Sequence, residues 1–80
     1  MDKIIEYLEY PKGLDNNTVD FNNDELEKMI RKLGKEELYD LLEKVETVCI
    51  QFETIRIMPN NDLPTIARYQ VARDIIKGEI

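Results

Sequence analysis

The sequence has no histidine, no tryptophan, one cysteine, three glycines and three prolines in 80 residues. Each shortage excludes something. Without histidine the chain lacks the commonest general base and the commonest zinc ligand. A lone Cys49 forms no intrachain disulfide, which sets aside a stapled secreted scaffold and favours a reducing, cytoplasmic setting. Few glycines and prolines, beside 42% hydrophobic residues, do not fit a disordered linker. No hydrophobic run approaches the roughly 20 residues that a membrane span requires, so no membrane role is expected. The opening Met1-Asp2-Lys3-Ile4-Ile5-Glu6 carries acids where a signal peptide carries a basic region.

What the chain does have is charge of one sign. Its net charge is −6. Acidic excess repels phosphate backbones, so direct nucleic-acid binding is not expected. Residues 1–34 hold eight acids and five bases, residues 35–58 six and three, and the remainder three of each. The surplus therefore belongs to the first three quarters. A chain this short supports one domain, 1–80, because halves would fall below the size at which a core holds unaided.

Apolar spacing predicts an all-α fold, a single small bundle of three to four helices with a long central helix over about 35–57. The first helix runs from Asp2 to about Tyr10, with Ile4, Ile5 and Leu8 inward, and Pro11 and Gly13 end it. The polar loop that follows includes a short alternating piece at Val19 and Phe21. Asn22 reads as the cap of the second helix, with Glu25 three positions on and Phe21 and Leu26 placed as a hydrophobic staple. Leu26, Met29, Ile30 and Leu33 form its stripe, and Gly34 is expected to stop it in a left-handed conformation. In the third helix Leu38, Leu41, Leu42, Val45, Val48, Cys49, Phe52 and Ile55 recur at three- and four-residue steps. The β-branched run at 47–57 leaves a strand as the alternative there. The fourth helix starts near Leu63, capped by Asp62, with Ile66, Tyr69, Ala72 and Ile76 inward, and Gly78 is expected to end it.

Sites of chemistry are scarce. Cys49 lies mid-helix on the apolar row and reads as a small buried hydrophobe. The carboxylates of Asp24, Glu25, Glu36, Glu37, Asp40, Glu43 and Glu46 read as solvated helix faces. The loop from Asp15 to Asp20 fails as a calcium site, since neither register supplies glycine at its sixth position and glutamate at its twelfth. The second and third helices do not suit a DNA-reading pair, because Glu36, Glu37, Asp40 and Glu43 would face phosphates. Arg68, Arg73 and Lys77 make a thin basic patch, read as a solvated face. No cofactor and no metal is implied.

One pattern remains. At about 100° per residue, Tyr39, Ile50 and Ile57 fall within about 20° of one another, well off the main apolar stripe. Glu43, Glu46 and Glu53 flank them within about 40°. Either other helices cover this second face, or it is a partner-facing seam. As a seam, Tyr39, Ile50 and Ile57 are anchors, and Glu43, Glu46 and Glu53 are a rim that selects a basic partner. The expected function is then a non-enzymatic, cytoplasmic protein that binds another protein, one with a basic or nucleic-acid-handling surface, as an inhibitor or regulator. In size and charge alone the chain resembles immunity proteins, antitoxins and phage-encoded inhibitors of host defence. The alternative is a structural or self-assembling subunit, a homodimer or a component of a larger complex. In a homodimer the glutamates would oppose one another unless Arg56 or the bases of the last helix neutralised them.

Overall fold

The computed structural model describes residues 2–10, 22–56 and 63–80. It shows four helices: α1 Asp2–Glu9, α2 Asn23–Arg31, α3 Lys35–Ile55 and α4 Leu63–Glu79. No strand occurs among the described residues, and the β-branched stretch of α3 is helical through Ile55.

Each helix starts or stops for a local reason. The side-chain oxygen of Asn22 accepts from the amide of Asp24 at 2.8 Å and from that of Glu25 at 3.4 Å, so the cap of α2 forms where the sequence placed it. Phe21 and Asp62, the expected staple and cap, lie outside the described residues, as do Val19 and the segment 11–20. Gly34 differs from expectation. Its φ is −72° and its ψ 169°, so it is an extended N-cap of α3 and not a left-handed stop of α2. Its amide donates to Oε1 of Glu37 at 3.2 Å, which satisfies one otherwise open helix-end donor. Gly78 also departs from expectation: α4 runs through it to Glu79, and no glycine among the described residues has a positive φ. The left-handed residue is Arg56, with φ 60° and ψ 28°, which closes α3 by donating its amide to the carbonyl of Phe52 at 3.0 Å. Its guanidinium lies 5.3 Å from the centre of the Phe52 ring, a cation–π contact that holds the turn.

The core draws on all four helices. Ile4 and Leu8, Leu26 and Ile30, then Leu38, Leu41, Val45 and Cys49, and finally Tyr69, Ala72 and Ile76 form one buried cluster. Ile5, Met29, Leu33, Leu42, Val48, Val71 and Ile75 pack against its edge. These are the expected rows except for Ile66, buried but not part of this cluster, half-buried Phe52, and Ile55. Ile55 is 60% exposed, because it lies about 80° from the middle of the buried arc of α3, beyond the reach of its neighbours.

The most extensive packing is between α3 and α4, while α1 and α2 pack on α4 and on each other. α4 therefore touches all three other helices. Its apolar residues spread widely enough to do so, with Val71 and Ile75 flanking the buried row of Tyr69, Ala72 and Ile76. The molecule measures 35 × 32 × 18 Å, roughly two packed helices deep. In a slab this thin each helix keeps one side toward water. For the long helix that side carries the second apolar row.

Truncation should separate the two faces of α3. Leu41→Ala, at a fully buried position, is expected to cost about 2–5 kcal/mol in urea unfolding. Ile50→Ala, at an exposed one, should change stability by less than about 0.5 kcal/mol.

Candidate functional site

The candidate site is the solvent face of α3, and its geometry follows from how α3 lies against α4. The two helices run antiparallel, and two ion pairs cross between them. Nη1 and Nη2 of Arg73 each donate to a carboxylate oxygen of Glu53 at 3.0 Å, a bidentate pair. Nζ of Lys77 sits 3.0 Å from Oε2 of Glu46. Advancing seven residues along α3 corresponds to retreating four along α4.

These pairs revise the expected rim. Glu46 and Glu53 stand on the α4 side of the Tyr39–Ile50 row and are already matched by Lys77 and Arg73. Glu43 stands on the other side, exposed, with no ion pair to another described residue. Tyr39 is 50% and Ile50 52% exposed. The second apolar row is therefore open along these two residues and not covered from a second side. Ile57 lies outside the described residues, so the structure brings five of the six expected site residues onto or beside one face. Thr47, on the same side of the helix, donates its hydroxyl to the carbonyl of Glu43 at 2.7 Å and so adds little free polarity.

The basic residues of α4 are likewise not a bare solvated face. Besides Arg73 and Lys77, Arg68 reaches α1, where its Nε donates to the carbonyl of Leu8 at 2.6 Å. Its Nη2 donates to the buried hydroxyl of Thr65 at 2.8 Å. A cation at the carbonyl end of α1 complements the negative end of that helix, which has no base in its own last turn.

Sequence reasoning did not find a groove of about 410 Å³ between α1 and α3. Ile5, Val48 and Tyr69 line it, with Glu6, Glu9 and Lys44 also on its walls. Tyr69 is buried, and its phenol is pushed well above the ordinary tyrosine range, first by burial and then by the negative charge of the nearby Glu9. Tyr69 and Glu9 are 60 residues apart, so no local spacing announces the groove.

Nucleophilic chemistry finds no support in the arrangement of Cys49. The thiol is fully buried, and that burial raises its pKa despite the opposing influence of Arg73. No group of three acidic or thiol side chains able to hold a metal ion occurs among the described residues. No helix among them is long and apolar enough to cross a membrane. The chain matches no protein-family model, and no curated protein or solved structure is similar to it at a significant level.

Two outcomes test this geometry. The Arg73 guanidinium, chiefly by its hydrogen bonds, holds Glu53 below the usual carboxylate range. A depressed carboxylate contributes stability that is present above its unfolded-state value and is lost as pH falls through its folded-state value. Thermal unfolding followed against pH should show that acid limb flattened in Glu53→Gln. Arg73→Gln should flatten it equally, and the double variant should add nothing further. Cys49, for its part, should react with a disulfide reagent at least about 100-fold more slowly in the native protein than in urea, because access requires opening.

Proposed function

We propose that this protein acts by binding another protein through the solvent face of α3, and that it works in the cytoplasm as a non-enzymatic inhibitor or regulator. The observation that carries the reading is the pairing of Tyr39 and Ile50. Both are half exposed on a helix whose opposite side is committed to the core. Large side chains held at a fixed spacing along one side of a rigid helix are the kind of anchor that protein interfaces use. Of the acids beside them, Glu43 is the one with no ion pair to another described residue, and it favours a partner with a basic surface, such as the groove of a nucleic-acid-handling protein. The full burial of Cys49, which raises its pKa, supports a role without covalent chemistry.

A second reading has one observation in its favour. Neutralisation of Glu46 and Glu53 by Lys77 and Arg73 removes part of the repulsion that would oppose pairing of two α3 helices. A self-assembling subunit is therefore the alternative.

Capture from host lysate separates the two. The parent protein should retain a basic partner at low salt and release it at high salt, and Tyr39→Ala with Ile50→Ala should lose it by faster dissociation. A partner held equally well by the variant and at high salt would show that this face is not the site. A dimer in sedimentation velocity that persists on dilution and is abolished by Ile50→Glu would establish self-assembly instead.

A further inference from the structure

The exposed face of α3 is not uniform along its length. Glu36, Tyr39, Asp40 and Glu43 occupy its first half, and all four are exposed. In the second half the exposed residues of this side are Thr47, Ile50, Gln51 and Thr54, with Glu53 matched by Arg73. Three carboxylates with no ion pair to another described residue thus border Tyr39, with Lys35 on its remaining flank, and they thin out toward Ile50. The eleven residues between those two side chains span about 16 Å of helix axis.

Resting on the docking surface proposed above, we infer that its partner presents cations and apolar side chains in separate clusters about 16 Å apart. The cations lie over Glu36, Asp40 and Glu43 beside Tyr39, and the apolar cluster lies on Ile50. Charge complementarity selects this occupant. A second copy of the chain is disfavoured, because an antiparallel two-fold pairing centred between Tyr39 and Ile50 sets Glu43 close to its own symmetry mate, and a parallel pairing aligns all the acids. Nucleic acid is disfavoured by phosphate repulsion. Glu46 and Glu53 do not direct the partner, since each already holds a cation of α4.

Two helical peptides of identical lysine, leucine and alanine composition test this, one with lysines and leucines at opposite ends and one with them interspersed. Each is titrated into the ¹⁵N-labelled protein while the amide signals of Tyr39, Glu43 and Ile50 are followed. The segregated peptide should bind at least about fivefold more tightly than the interspersed one. Asp40→Asn with Glu43→Gln should weaken it at least about fivefold. Removing a matched pair whole, as Glu46→Gln with Lys77→Gln, should leave its affinity unchanged within about twofold, because the net charge of the face is preserved. Equal affinity for the two peptides, with shifts at Tyr39 and Ile50, would overturn the segregated pattern and leave the docking surface standing. Shifts confined to other elements, or none with either peptide, would overturn the inference, while lysate capture judges the docking reading by itself.

Discussion

The fold depends on burial of one row of α4, Tyr69, Ala72 and Ile76, between α3 on one side and α1 with α2 on the other. An 80-residue chain buries only about 60% of the surface that its unfolded form exposes, so no helix can be spared from the core. α4 solves this by carrying apolar residues around much of its circumference, which lets it serve three neighbours at once. The same arrangement excludes α4 from a surface role. Its flanking bases are spent on holding neighbours: Arg73 and Lys77 on α3, Arg68 on the end of α1.

That division of labour leaves the outside of α3 as the most distinctive surface. Because α3 meets α4 along one side only, its length exceeds what the core needs, and its outer residues face water. Tyr39 and Ile50 stand there, half exposed, with carboxylates at one end. Burial of Leu38, Leu41, Val45 and Cys49 fixes the rotation of α3 about its axis, and the bidentate contact of Arg73 with Glu53 on the neighbouring flank agrees with that orientation. Surface ion pairs add little to stability, but they can register two helices.

Much of this was legible in the sequence, and the failures have physical causes. The Asn22 cap and the buried rows of all four helices follow from local rules, three- and four-residue spacing above all, and these survive into the structure. Gly34 was misread because only three residues, Lys32 to Gly34, separate α2 from α3. One glycine then stands at the end of one helix and the start of the next, and the extended geometry of the second role prevailed. Gly78 sits in a final turn, where a missing side chain leaves the helix intact. Arg56 carries the left-handed closure that glycine usually supplies, and its contact with Phe52 offsets part of the steric cost. The Tyr39–Ile50 face was readable as a pattern. Its exposure was not, because that depends on where α1, α2 and α4 settle. Nor were the cross-links of Glu46, Glu53 and Arg68, whose partners lie 20 to 60 residues away in the chain.

The junction of α1 with α2 has a consequence of another kind. The amide of Asn22 donates to the hydroxyl of Tyr7 at 2.9 Å, so the residue that caps α2 is also tied to the side of α1. Two points 15 residues apart are thereby joined at the base of the intervening chain. The start of α2 therefore depends on α1 as well as on its own cap, so these two helices order together.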